Sequence, residues 1–414
     1  MAEPMADSPH CFPAPAAAGR MAGVLAPVIP RVAALMRQRP DCLSLAQGMV
    51  SWGPPPQVAT AVQLAMQRAA KEEAAAAALD RYGPVPGDPE LLELVHRELR
   101  ERRGLDSQHS ELLVTAGSNM AFHAIAQVIC DPGDEVILPV PWYFNHVMAV
   151  QLVGGRPVAV DAGMVPDPER LAAAITPRSR AIVTVSPNNP SGVVVPSTVL
   201  EAINELCARH GLFHIHDEAY AEFVHGGDPQ RSPGCRSGSG AHTITLHSLS
   251  KAYGMAGWRI GYASVPSQLM PALAKVQDTV LICPPRLTQV AGRAALEAGP
   301  DWCRPRVVEL GERRRQLLQI LAAAQHNGLP VRLLAEPQGA FYALVAVTTP
   351  LGGDAVIERL ILRHGVAVLP GESFGMAERG GELALRLSYG MVGGADLQEA
   401  MNRLLNGLGA MERG

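Results

Sequence analysis

A chain of 414 residues, 48% hydrophobic and 18% charged, is long enough for two packed lobes and has the balance of a water-exposed globular protein. A formal net charge of −4 and a sequence pI near 6.4 supply no basic field for nucleic acid or an anionic membrane, so the partners indicated are small molecules and copies of the chain itself. No apolar run is long enough to span a bilayer, and the seven scattered cysteines form no CxxC pair, which excludes a zinc ribbon and points to reduced thiols in a cytoplasm.

In chain order, residues 1–30, opening MAEPMADSPHCFPAPAAAGR, lack the basic start and apolar stretch of a secretory signal and read as a mobile arm. Helical patterns fall over 56–71, 89–103, 119–130, 200–210 and 302–325. Between them lie short β-rich runs at 111–115, 135–139, 156–160, 181–185, 213–216, 243–248 and 259–263. Several are apolar throughout, as strands covered on both faces are, and strands alternating with helices predict a mostly parallel α/β sheet. The Gly- and Ser-rich stretch 225–240 reads as a mobile loop. Beyond about residue 288, a long helical stretch gives way to runs at 340–347, 366–369 and 383–388, which predict a smaller α+β lobe.

The segment Ser248-Leu249-Ser250-Lys251-Ala252-Tyr253-Gly254, with Arg259 following, lies between two expected strands. Schiff-base chemistry needs a partly desolvated lysine whose amine is neutral at working pH, and hydroxyls before it with an arginine after it can hold a phosphate. A lone SxSK would be an ordinary solvated turn; three further signals weigh against that. Asp217 closes an expected strand at its carboxyl end, where open α/β sheets bind ligands, although helix capping would place an aspartate there too. The turn Ser186-Pro187-Asn188-Asn189-Pro190-Ser191-Gly192 follows another strand. Thr115-Ala116-Gly117-Ser118-Asn119 opens a helix whose N–H groups could cradle phosphate. Asn189, Asp217 twenty-eight residues on, Lys251 thirty-four further and then Arg259 form one specific series.

On these residues the chain resembles the class I/II aminotransferases of the aspartate-aminotransferase fold, fold type I enzymes dependent on pyridoxal 5′-phosphate (PLP), over roughly residues 36–408. The resemblance implies a large domain (61–290) with a mostly parallel seven-stranded sheet and a smaller α+β domain (31–60 and 291–414). It implies Lys251 as cofactor-bearing residue and proton shuttle, and Asp217 as partner of the ring nitrogen. Tyr220 and Asn189 would meet the ring oxygen. Ser118, Asn119, Ser248 and Arg259 would form the phosphate cup, flanked by Ser250. Tyr82, in Asp80-Arg81-Tyr82-Gly83, would reach the phosphate of a neighbouring subunit, hence a homodimer with shared active sites. Arg386 would clamp the substrate α-carboxylate beside the backbone of Gly48.

In Pro141-Trp142-Tyr143-Phe144-Asn145-His146, the resemblance assigns the ring stacked on the cofactor to Tyr143, with Trp142 as the alternative, and puts His146 behind Asp217. Where the dicarboxylate-specific branch carries an arginine before a Pro-Pro turn, this chain has Asp278, and a second substrate carboxylate is not expected. The strings Ser44-Leu45-Ala46-Gln47-Gly48, Tyr143-Phe144-Asn145 and Gly254-Met255-Ala256-Gly257-Trp258-Arg259 are most similar to plant and bacterial aromatic and methionine aminotransferases, which favours aromatic or thioether amino acids exchanged with a 2-oxo acid. PLP-dependent β- or γ-elimination or replacement stays open, because the same residues serve it. A noncatalytic PLP-binding regulator would need a DNA-binding module, and residues 1–30 are too short for one. His214 and His216 alternate beside Asp217 at a formal metal spacing and read as core residues, so no metal is expected.

Overall fold

A computed structural model describes residues 16–106, 108–227 and 230–412. The arm expected over 1–30 therefore lies in part outside the described residues; within them, Gly19–Gly23 forms a 3-10 turn and the Leu25 N–H donates to Gln151 Oε1 at 3.0 Å. The strands, in chain order, are β1 (Leu43–Ser44), β2 (Ser110–Thr115), β3 (Glu135–Pro139), β4 (Arg156–Val160), β5 (Ser179–Val185), β6 (Phe213–Asp217), β7 (Thr243–Ser248), β8 (Gly261–Pro266), β9 (Val331–Leu333), β10 (Tyr342–Thr348), β11 (Val366–Ala367), β12 (Leu369–Pro370) and β13 (Glu382–Ser388).

Seven of them make one twisted sheet in the order β2-β8-β7-β6-β5-β3-β4, in which β8 alone runs antiparallel. Alternate side chains feed two cores. Val136, Leu138 and Ile215 pack under helices Ser118–Ile129, Phe144–Leu152 and Met270–Leu281. Ile137 and Ile182 pack under Ser197–His210 and Pro168–Ala173. Coverage on both faces is why these strands read as continuous apolar runs. A second sheet, β12-β13-β10-β9, is antiparallel. The pairing of β1 with β11, Leu43 opposite Val366, laces the N-terminal segment to this C-terminal part.

Three expectations are corrected. The helix over 89–103 is α-helical only to Arg97 and widens into a π turn at Glu98–Arg102, which seats Leu99 in the core. The strand expected at 259–263 begins at Gly261, because Arg259 adopts a left-handed φ of 51° after a 3-10 turn at Ala256–Trp258. The loop 225–240 is packed rather than loose in its described part: Gln230 accepts from Ser186 Oγ and donates to the Val195 carbonyl, and Gly238 N–H donates to Asp106. Residues 228 and 229 of that loop lie outside the described residues. Among the described residues no helix is long and apolar enough to cross a membrane.

Candidate active site

The antiparallel course of β8 organises the site. Thr115 at the end of β2 and Ser248 at the end of β7 both pair with Gly261 at the start of β8. Arg259, two residues earlier, is thereby delivered to the carboxyl edge of the sheet, where β2, β5, β6 and β7 also end. A Cβ on Gly117 (φ 85°) would lie 2.5 Å from Arg259 Nη2, so only glycine lets the guanidinium lie against the helix start at Ser118.

One cavity opens at this edge. Ser118, Asn119, Ser248, Ser250 and Arg259 line one part of it, and Tyr143, Asn189, Asp217, Tyr220 and Lys251 line the rest, joined by Val185 and Ala219. Lys251 Nζ donates to the Gly48 carbonyl at 2.6 Å. Burial, then the guanidiniums of Arg386 and Arg259, draw the Lys251 amine down to about 8, against an opposing pull from Asp217. Asp217 Oδ1 accepts from the Ala219 N–H at 2.9 Å and Oδ2 lies 3.1 Å from His146 Nε2. His146 is itself held by a stacked Phe122 and the edge of Tyr143.

Arg386, on β13, is 2% exposed. Its Nη1 donates to Asn189 Oδ1 at 2.9 Å and its Nη2 to the Ala46 carbonyl, while Nε is buried without a partner. The guanidinium lies over the rings of Tyr342 and Phe374 at 4.6 and 5.2 Å. Burial pulls its pKa below the usual arginine value. Among the described residues no carboxylate pairs with it, so three cations, Lys251, Arg259 and Arg386, surround a cavity whose one carboxylate is Asp217. That balance fits a dianionic phosphate and a carboxylate arriving from outside.

Ten of the sequence-derived residues thus line one cavity, and Gly48 and Arg386 each bond a member of its wall. Tyr82 stands apart, 79% exposed and outside the cavity of this chain. Tyr143, not Trp142, faces the cavity; Trp142 lies against Gly375 and donates its indole N–H to the Ser373 carbonyl at 3.4 Å. His214 and His216 both meet Thr184 Oγ1, at 2.8 and 2.7 Å, and burial lowers both pKa values, as fits core histidines. Two contributors escaped the sequence reading. The Ala46 carbonyl is invisible to side-chain patterns. Tyr342 was legible only as a tyrosine in the apolar run 340–347, where a buried hydroxyl demands a partner; that partner is Tyr220, 2.7 Å away.

Fold and site together define an α/β transferase of fold type I. Residues 40–404 match the family described as aminotransferase class I and II, and the chain belongs to that family. It is similar to the aspartate/prephenate aminotransferase of Thermus thermophilus, 36% identical over 384 residues that span 91% of this chain and 93% of that one. It is also similar to an aromatic aminotransferase of Arabidopsis thaliana, 32% identical over 403 residues (94% and 95% of the two chains). A solved double mutant of the Thermus thermophilus aspartate aminotransferase superposes with a TM-score of 0.83 at 32% identity, covering 95% of this chain and all of that one (100%). The chain is accordingly an aminotransferase, of a family that in general depends on PLP.

Proposed function

We propose that the protein moves an amino group from an aromatic or methionine-like α-amino acid to a 2-oxo acid in two half-reactions at this cavity, with PLP held on Lys251. The carrying observation is the buried Arg386 guanidinium, which has two neutral acceptors, an unpartnered Nε and no carboxylate among the described residues. Such a cation is costly to bury unless a ligand completes it, and a planar carboxylate matches its fork.

When bound, PLP supplies the electron sink and the carbonyl that exchanges the amino group. Ser118, Asn119, Ser248, Ser250 and Arg259, with the N-terminus of helix Ser118–Ile129, suit its phosphate. Asp217, fixed by Ala219 and His146, suits a protonated ring nitrogen. Tyr220 and Asn189 suit the ring oxygen, and Tyr143, oriented by a bond from Asn145 Nδ2 at 2.9 Å, suits the ring face. Lys251, lowered to about 8, can take a proton and return it near neutral pH.

Side-chain preference rests on the groups that could answer a second substrate carboxylate, and among the described residues no lysine or arginine beyond Lys251 and Arg259 lines the cavity. Asp278 is exposed on helix Met270–Leu281, and Arg286 is committed to Asp88 at 3.2 Å and to the Ala78 carbonyl at 2.7 Å. Neither offers a free cation to a second carboxylate, and an unpaired carboxylate resists desolvation. Relatives named for aspartate/prephenate and for aromatic amino acids keep both classes in the comparison. The exposed Tyr82 ring supports a homodimer in which it reaches the partner's phosphate site; we likewise propose domains at 61–290 and at 31–60 plus 291–414 and a place in the cytoplasm.

The test is a matrix of amino donors and 2-oxo acceptors scored by kcat/KM, with Lys251→Ala as control. Aromatic and methionine donors should lead, new amino acid should form in step with donor loss, and Lys251→Ala should abolish both turnover and borohydride-fixed cofactor. Preference for aspartate with oxaloacetate overturns the substrate reading; release of a β- or γ-substituent without amino transfer favours the elimination alternative.

A further inference from the structure

Tyr342 bonds Tyr220 at the cavity wall and has no role in the reading given above. Tyr342 opens β10, where it pairs with Ser388, while Arg386 lies two residues along β13 opposite Leu344. From there the Tyr342 ring lies face-on to the Arg386 guanidinium at 4.6 Å, and its hydroxyl sits 2.7 Å from that of Tyr220. Tyr342 is fully buried at 0% exposure, and Tyr220 is the one hydrogen-bond partner of its hydroxyl among the described residues.

Each phenol carries one proton. A buried hydroxyl needs an acceptor, and for Tyr342 the available acceptor is Tyr220. If Tyr342 donates to Tyr220, the Tyr220 proton is left to point into the cavity that Tyr220 lines. The guanidinium over the Tyr342 ring reinforces this direction. A cation on the ring face withdraws charge from the phenol and makes it the better donor. The position is defended sterically. A Cβ on Gly48 would collide with the Tyr342 hydroxyl, so the glycine whose carbonyl accepts from Lys251 is also the one that admits this phenol.

We propose that Tyr342 is a positioning residue that couples the carboxylate clamp to the ring-oxygen donor: its hydroxyl orients the Tyr220 proton toward the bound cofactor, and its ring transmits to that hydroxyl whether the Arg386 charge is paired. This rests on the reading of the cavity given above. It provides a second link between the two groups beside the direct Arg386–Asn189 bond. Occupation of Arg386 by a substrate carboxylate would weaken the pull on Tyr342 and so loosen the Tyr220 donor at the moment substrate is seated.

The test is a double-mutant cycle on holoenzyme with Tyr342→Phe, Tyr220→Phe and the pair. Tyr342→Phe keeps the ring over Arg386 and removes the hydroxyl. It should lower kcat about tenfold, the scale of one lost hydrogen bond, and shift the visible band of the bound cofactor at fixed pH. KM for the amino donor and Kd for 3-phenylpropanoate, which has the carboxylate and lacks the amine, should stay within about twofold. In the Tyr220→Phe background Tyr342→Phe should add nothing. Gly48→Ala, which displaces the same hydroxyl from the other side, should reproduce the band shift even if Tyr342→Phe folds poorly. Wild-type kcat and band in Tyr342→Phe, or a full additional effect without Tyr220, overturns the coupling. Wild-type protein that binds PLP on Lys251 and transaminates while the cycle shows no coupling refutes this inference alone; wild-type protein that does neither refutes the underlying reading instead.

Discussion

Replacing Arg386 by glutamine separates a ligand-clamping arginine from a structural one. A carboxylate held by the guanidinium fork gains two charge-assisted hydrogen bonds, each worth about 1.5–3 kcal/mol. Losing both should lower kcat/KM about 10²- to 10⁴-fold for every α-amino acid donor, whatever its side chain. Stability should respond far less. An arginine paired to a buried carboxylate strands that charge when removed, at about 3–5 kcal/mol. Arg386 has no such partner among the described residues and would strand only Asn189 Oδ1 and the Ala46 carbonyl, one of which the glutamine amide can reach. Relief of the desolvated guanidinium offsets the other. The melting temperature of the apoprotein should therefore move by no more than about 4 °C. Arg386→Lys, which keeps a charge but not the fork, should fall between wild type and Arg386→Gln in kcat/KM. Steady-state kinetics with phenylalanine and methionine, beside thermal unfolding, read both numbers. A large drop in melting temperature with kcat/KM preserved would refute the reasoning and make Arg386 a structural residue.

Gly117→Ala, which combines a φ of 85° with a Cβ 2.5 Å from Arg259 Nη2, should weaken PLP affinity about 10- to 100-fold in absorbance titrations of apoprotein; unchanged affinity would remove Arg259 from the phosphate site. Because the Lys251 amine sits near 8 rather than the usual 10.5, the rate of PLP capture by apoprotein should climb from about pH 6.5 and level off above about 8 as the amine becomes neutral. Between about 8 and 10.5 the unfolded chain holds the Lys251 proton that the folded one has released, so this residue's contribution to apoprotein stability rises with pH across that window; a capture midpoint near 10 would show that the Lys251 amine is solvated in the apoprotein. Asp217→Ala should retain PLP but slow exchange of the substrate α-hydrogen with solvent at least about a hundredfold, and exchange at the wild-type rate would show that another group serves the ring nitrogen.

The large sheet was legible because burial on both faces writes itself into sequence as uninterrupted apolar runs; each of its seven strands lies within three residues of its expected ends. Helices fared unevenly for the same reason. Phe144–Leu152 buries Phe144, Val147 and Val150 and is apolar on most sides, so no amphipathic stripe marked it. Arg286–Glu297 starts directly after two prolines, which read as a turn. Loop 225–240 looked loose because glycine and serine count as breakers, yet its order comes from distant partners, Ser186 and Asp106, that composition cannot reveal. The site residues were readable where chemistry constrains spacing along the chain. Tyr342 and Tyr220 lie 122 positions apart, and their pairing exists only once β10 and the turn after β6 meet.

The one antiparallel strand of the large sheet accounts for much of how the site can exist at all. In a fully parallel sheet, a residue just before a strand lies at the edge opposite the carboxyl ends, about a strand length (~17–20 Å) from ligands bound there. Arg259 precedes β8, and were β8 parallel its guanidinium would fall on the far side from Lys251. Reversal brings it within reach of the Ala116 carbonyl at 3.4 Å and of the helix start at Ser118, beside the lysine that follows β7. The reversal also explains the short Lys251-to-Arg259 spacing: a hairpin-like return needs only one tight excursion, here the short helix Leu249–Ala252 and the turn at Ala256–Trp258, where a parallel crossover needs a dozen residues or more. Two cations are thus placed on one edge by a local feature of chain direction, and the third, Arg386, comes from the other sheet through its bond to Asn189. A site assembled in this way draws its positive charge from both sheets, so anionic ligands that bridge Arg259 and Arg386 also bind the two sheets to each other.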